Sequence, residues 1–301
     1  MVSAWAGLHY FASRHGFHAP GEAGGEAEPV LTWPEGNAWL TQRLAAPCGE
    51  RIHAGRTVLR IEAQKHGVAV DALDHASGRV ERWLAERCVV ALPVFVAVRV
   101  LQNAPDFVRQ AAQRLVYAPW LVANLRLRAP LRDRPGAPPS WDNVLYGSAG
   151  LGYVDASHQS LNPRRGPTVL TWYLPLGDNA AAARRALLDK PWTHWRDQVL
   201  AELSVPHPDL REHVARIDIT RYGHAMSIPT PGVLGFLSRI GLQPLRGNGR
   251  QLSNGERFGW IPTPTTARLA FAHSDWSGYS VFEEAFTRGH LAGAAIAGFK
   301  G

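Results

Sequence analysis

The segment with the most chemical potential reads Arg268-Leu-Ala-Phe-Ala-His273-Ser-Asp275-Trp-Ser-Gly278-Tyr-Ser-Val-Phe-Glu283-Glu-Ala285-Phe-Thr-Arg-Gly289-His-Leu-Ala-Gly293. An apolar run runs into an acidic residue, a Ser-Gly turn follows, and Ala285, Gly289 and Gly293 then recur every four residues, so one helix face can approach a neighbouring backbone closely. A strand, turn and helix of this kind bring unpaired amide N–H groups and the positive end of a helix dipole to the carboxyl end of a strand, where an anion or a carbonyl would be stabilised. The same spacing is equally met by a strand–helix connection with no ligand, in which Asp275 is a simple helix cap.

The elements that must position this segment can be read from periodicity. Trp5 to Phe11 is expected as a short helix before the loop Pro20 to Gly25, and Trp33 to Asn37 as a turn before a helix over Ala38 to Leu44 that ends near Pro47. The period then becomes two. Thr57 to Ile61 and Val68 to Val70 are expected strands, with a turn at Ser77-Gly78. Cys88 to Leu92 is a continuous apolar run of the length of a strand buried on both faces, stopped by Pro93. A helix over Pro105 to Val116, strands over Leu121 to Leu127 and Val169 to Leu174, and an exposed loop over 132–139 follow. Two helices, Ala180 to Leu188 and Trp192 to Leu203, come next, the second with a core stripe of Trp192, Trp195, Val199 and Leu203. Leu269 to Phe271 is the last strand, and a helix rich in small residues starts at Val281. The mixture predicts an α/β (α+β) fold.

Composition narrows the class. The chain has 301 residues, 46% of them hydrophobic and 19% charged, which is enough for a sizeable core and excludes a disordered or disulfide-framework protein. The net charge of +7 comes from scattered arginines with only three lysines, Lys65, Lys190 and Lys300, so no basic run marks a nucleic-acid partner. Cys48 and Cys88 have neither zinc-ligand nor disulfide spacing, so no metal is expected and a reducing cytoplasm fits. The most apolar stretch, Cys88 to Val98, is too short to span a bilayer, and the amino-terminal residues lack the basic and apolar regions of a secretory signal.

The residues from about Leu31 to Gly298 resemble the flavin-containing amine oxidases, the group that includes monoamine oxidase and protoporphyrinogen oxidase. Those proteins end in a strand, an Ala-Gly-(Glu or Asp) step, a glycine turn and a Glu-x-Ala helix; here stand Ala272-His273-Ser274-Asp275, then Phe282-Glu283-Glu284-Ala285. Trp276-Ser277-Gly278-Tyr279 looks like their aromatic turn at a different spacing, and Gly49 to Ile61 is similar to the strand whose valine backbone meets the FAD adenine. Cys88 to Pro93 looks like their buried strand with its terminal proline.

The resemblance implies a partial FAD/NAD(P)-binding Rossmann-like domain made of 31–95 and 265–301, and a mixed-sheet and helix substrate domain made of 1–30 and 96–264. It implies FAD as cofactor, held by Val58, Asp275, Ser280, Val281, Phe282 and Glu283, and hydride transfer from a substrate C–H beside nitrogen or oxygen to flavin N5. Asp275 would meet ribityl hydroxyls, and the amides of Val281 to Glu283 would face the pyrimidine carbonyl. Tyr222, Trp260 and Tyr279 would line the small-molecule substrate, and Tyr222, His224 and Asn124 are the catalytic candidates, each with a packing or hydrogen-bonding alternative. Many relatives carry a lysine near flavin N5, and Asn124 stands at that place. Nowhere does the chain carry a GxGxxG after a strand, which predicts a C-terminal portion of a longer oxidoreductase, partnered by a separate N-terminal nucleotide-binding portion, with an open strand edge where that portion would pair. The alternative is a non-catalytic binding or interaction protein that has lost the cofactor.

Overall fold

The structure is a computed structural model that describes residues 2–12, 33, 35–132, 140–159, 166–241 and 264–298. In chain order the elements are α1 (Ala4–Ala12), α2 (Asn37–Ala45), β1 (Arg56–Ala63), β2 (Val68–Asp74), β3 (Arg79–Ala85), β4 (Cys88–Val90), α3 (Val94–Val100) and α4 (Asp106–Arg114). Then come β5 (Val116–Leu127), β6 (Asp142–Asn143), β7 (Gly152–Asp155), β8 (Val169–Pro175), α5 (Ala180–Asp189), α6 (Trp192–Leu203) and α7 (Leu210–His213). The last are β9 (Val214–Ile228), α8 (Val233–Gly241), β10 (Leu269–Phe271) and α9 (Phe282–Gly298). Two compact units emerge, one of residues 1–18, 45–116 and 227–301, the other of 19–44 and 117–226.

The first unit holds an antiparallel sheet of order β1-β2-β3 and a parallel pair, β4 with β10. The expected Ser77-Gly78 turn forms because the Asp74 carboxylate accepts from Ala76 N (3.1 Å) and Ser77 Oγ (2.7 Å) while Gly78 takes φ 68°. These bonds also hold the Asp74 carboxyl below its ordinary range. Strand β3 was not legible in the sequence because its charges hide the alternation; in the sheet they form cross-strand pairs, Arg82 Nε with Asp71 at 2.7 Å and Arg56 Nε with Glu81 at 3.1 Å.

The apolar run after Arg87 corrects one expectation. Only Cys88–Val90 is strand, Val89 is exposed rather than buried on both faces, and Pro93 does not merely stop the run but opens α3. Proline suits that place because a helix start needs no donor from it. Beside β10, Phe271 N donates to Pro264 O (3.0 Å) and Thr266 N to Leu269 O (2.7 Å), so Pro264–Thr266 satisfies one edge of that strand.

The second unit is a sheet of order β6-β7-β8-β5-β9. Helices α5 and α6 cover one face, burying Leu121, Leu125, Trp172, Trp195, Val199 and Leu203. Trp192 leaves the expected stripe and stays exposed. Strand β5 begins at Val116, five residues before the expected start and inside the residues expected to be helix. Strand β9 was missed altogether, because Arg216, Asp218, Thr220 and Tyr222 fill one side with groups that read as surface. No helix among the described residues is long and apolar enough to cross a membrane.

Candidate active site

In the first unit β4 and β10 run parallel, and the chain leaves both carboxyl ends towards the same place. From β4 it passes through Pro93 into α3; from β10 it passes through His273, Asp275 and Gly278 to α9. The two exits are tied together. Asp275, 1% exposed, accepts from Val94 N at 2.8 Å through Oδ2, so its carboxylate satisfies an amide at the start of a helix 181 residues away. The cap expected of Asp275 therefore serves α3, which local sequence could not indicate.

His273 stands where the resemblance has glycine, and its φ of 157° with ψ of 152° is a conformation that glycine adopts at lower cost. Its Nδ1 accepts from Asp275 N at 3.1 Å and lies 3.2 Å from Asp275 Oδ1. A neutral Nδ1 can serve the amide, whereas an imidazolium would turn its proton to the carboxylate. Below this turn Trp276 is buried among Phe107 and Phe271, with ring centroids 5.9 and 5.7 Å away. Gly278 has φ 71°, a conformation that favours glycine, and a Cβ there would stand 3.1 Å from the Leu234 side chain of α8, a tight approach.

The other residues expected at the cofactor fall as follows. The Ser280 hydroxyl takes a bond from Ser227 N (2.9 Å) and shares another with Ser227 Oγ (2.9 Å). Val281 N donates to Tyr279 O (3.0 Å), and its carbonyl accepts from Ala285 N (3.3 Å), so α9 opens with Phe282 and Glu283. Their first-turn amides lack intrahelical acceptors by helix geometry. Tyr279 packs edge-on to Trp5, with ring centroids 6.4 Å apart. Val58 lies on the edge strand β1 at a break in register between Val58 and Arg60. Further along α9, burial pushes the Arg288 guanidinium below its ordinary value, opposed by Glu284 at 3.6 Å.

In the second unit the catalytic candidates share one sheet face. Leu121, Ala123 and Leu125 of β5, and Ile217 and Ile219 of β9, pack on the helical side. Strand alternation sends Asn124, Tyr222 and His224 to the other side, and a Cβ at Gly223 would meet Arg184 of α5 at 3.6 Å, as that phase requires. Asn124 Oδ1 accepts from Thr171 Oγ1 at 2.7 Å, across the β5–β8 register. Tyr173 stands on the same face next to Val122, its phenol pushed up by burial and by the charge of Asp142. Sequence reasoning missed Tyr173; the only available signal was its place two residues from Thr171 on an alternating strand. His224 packs edge-on to Tyr117, with ring centroids 5.8 Å apart. Behind this segment Arg184 donates to Gly223 O (2.6 Å) and Tyr117 O (2.8 Å), and Arg221 to Leu187 O (2.7 Å). Trp260 lies outside the described residues.

Among the described residues no group of three His, Cys, Asp or Glu side chains is placed to hold a metal ion. No protein-family model matches the chain, and no curated protein sequence matches it. Solved structures do. Cyclohexylamine oxidase from Brevibacterium oxydans IH-35A is similar over 88% of this chain and 53% of its own, with a TM-score of 0.59 and 16% identity. A triple mutant of putrescine oxidase, made in a redesign of its cofactor binding, is similar over 87% and 53%, with a TM-score of 0.59 and 17% identity. A protein from Exiguobacterium sp. 255-15 described as a protoporphyrinogen oxidase is similar over 88% and 51%, with a TM-score of 0.58 and 15% identity. The chain thus spans about half the length of the oxidases it matches, and at these identities the likeness is one of fold.

Proposed function

We propose that this chain is the substrate-domain and C-terminal flavin-contact portion of an FAD-dependent oxidoreductase of the amine oxidase type. The observation that carries the reading is the joined exit of β4 and β10, where the buried Asp275 carboxylate accepts from the first amide of α3 and the chain runs on through a glycine turn to the 17-residue α9. The fold likeness to amine oxidases agrees with it.

The residues at this place fit a flavin in their chemistry. Asp275 is an acceptor of the kind ribityl hydroxyls need, and the first-turn amides of Phe282 and Glu283 are donors of the kind a ring carbonyl needs. Val58 would contribute backbone to the adenine end. When bound, FAD supplies a two-electron acceptor for a hydride from a substrate C–H next to nitrogen. The chain's own part is to hold that acceptor and to orient the substrate. The dipole of α9 favours negative charge at its amino end, although Glu283 and Glu284 in the first turn weaken that preference. Asn124, Tyr222 and His224, with Tyr173 beside them, would present polar groups to the substrate from one sheet face, and Tyr279 would be a further lining residue. The division into 31–95 with 265–301 for the cofactor, and 1–30 with 96–264 for the substrate, belongs to this proposal, as does a separate N-terminal portion supplying the glycine-rich phosphate site.

The test is the visible absorbance spectrum of the purified protein after incubation with FAD and desalting. A retained flavin spectrum in near-stoichiometric amount is expected once a nucleotide-binding portion is supplied in trans or by fusion. A folded protein that holds no flavin in either form would refute the proposal.

A further inference from the structure

In the connection from β10 to α9, His273 is the one non-glycine residue with positive φ. The turn does not need its side chain. Backbone bonds close the connection by themselves: Trp276 N donates to His273 O (3.2 Å), Ser277 N to Ser274 O (3.0 Å) and Gly278 N to Asp275 O (3.1 Å). A glycine at position 273 would permit all three without the strain, so the imidazole is to be explained by what it touches.

It touches Asp275 twice. Nδ1 lies 3.1 Å from Asp275 N and 3.2 Å from Asp275 Oδ1, while Oδ2 of the same carboxylate accepts from Val94 N at 2.8 Å. One ring nitrogen thus stands between a donor and an acceptor and serves only one of them at a time. With its proton on Nε2 the neutral ring accepts from the amide and sets a lone pair against Oδ1; the imidazolium donates to Oδ1 and gives up the amide. The bond gained is charge-assisted and stronger than the one given up. The imidazole is 29% exposed and the carboxylate 1%, so His273 is the member of the pair that meets solvent.

The neighbouring charges are engaged elsewhere. Arg99 of α3 donates to Phe95 O (2.6 Å), Asp106 and Arg109 of α4 pair with each other, and Glu284 faces Arg288 on α9 (3.6 Å). Neither these nor Glu283 of α9 nor Arg239 of α8 forms an ion pair with His273; among the described residues its ionic neighbour is Asp275.

We propose that His273 is a positioning residue for the Asp275 carboxylate, holding Oδ1 when its ring is protonated and releasing it when neutral. Proton uptake then tightens the clamp between the two strand exits and draws Oδ1 away from a ligand hydroxyl. The second consequence rests on the flavin reading; the first does not.

A pH titration followed by 15N–1H NMR on the full chain without FAD reads the switch directly. The Val94 and Asp275 amide resonances are expected to move with the His273 ring resonances through one shared midpoint. In His273→Asn that shared transition is lost, while the Val94 amide keeps its protection from hydrogen exchange because Asp275 Oδ2 still accepts from it. His273→Gly, which relieves the backbone, is expected to behave in the same way and keeps the test decisive if His273→Asn does not fold. Amides that ignore the His273 titration, or that titrate unchanged in the variants, would overturn the proposal. For the ligand, FAD retention by the chain joined to a nucleotide-binding portion is expected to fall on acidification and to lose that fall in His273→Gly; an unchanged pH profile there would overturn the ligand consequence. Amides that follow His273 in a protein that holds no flavin at any pH would support the positioning role and refute the flavin reading alone.

Discussion

Replacing Asp275 by alanine separates what this residue does for the fold from what it would do for a cofactor. The substitution removes the acceptor 2.8 Å from Val94 N, and Val94 is fully buried, so the amide has no water to turn to. A buried donor left unsatisfied costs about 1–3 kcal/mol, and loss of a helix-start acceptor costs about 0.5–2 kcal/mol. These describe the same bond from two sides, so the expected loss is about 2–3 kcal/mol rather than their sum. For a domain of ordinary size this lowers the melting temperature by about 4–12 °C. Asp275→Asn keeps an oxygen for the amide and is expected to lose about half as much. Thermal and urea denaturation in the absence of FAD is the assay, because any loss there arises from contacts within the fold, the bond to Val94 first among them, and not from a cofactor. An unchanged midpoint for Asp275→Ala would refute the assignment of Asp275 as the clamp between the two strand exits.

Arg184→Ala, which removes the bonds to Gly223 O and Tyr117 O, is expected to cost about 2 kcal/mol in urea denaturation and to move the His224 imidazole resonances in NMR. Arg184→Lys recovers only part of this, since an ammonium cannot copy the fork, and unmoved His224 signals would show that α5 does not position the Tyr222–His224 segment. Tyr173 is expected to ionise above the ordinary tyrosine range in a spectrophotometric titration, with Asp142→Asn bringing it part of the way back. Because its folded value is raised, its contribution to stability is present below about pH 10 and is lost as pH rises through the folded value; an ordinary titration for Tyr173 would contradict the burial seen on this sheet face.

Much of the local structure was legible in the residues. Alternation at Val68–Val70 and Val169–Leu174, the Ser77-Gly78 turn and the buried stripe of Trp195, Val199 and Leu203 each depend on neighbours within a few positions, and periodicity records such neighbours directly. The strand, acid, turn and helix around Asp275 were legible for the same reason.

What lay beyond the sequence depends on partners far away along the chain. Strands β3 and β9 carry charges whose purpose appears only when a neighbouring strand supplies the opposite charge or a helix supplies the carbonyl. The destination of the Asp275 carboxylate is the amide of Val94, and the bond from Arg268 to Lys65 O brings together residues more than 200 positions apart. No pattern of period two or 3.6 encodes such a pairing, because it is selected by which strands lie side by side, and that choice belongs to the tertiary structure.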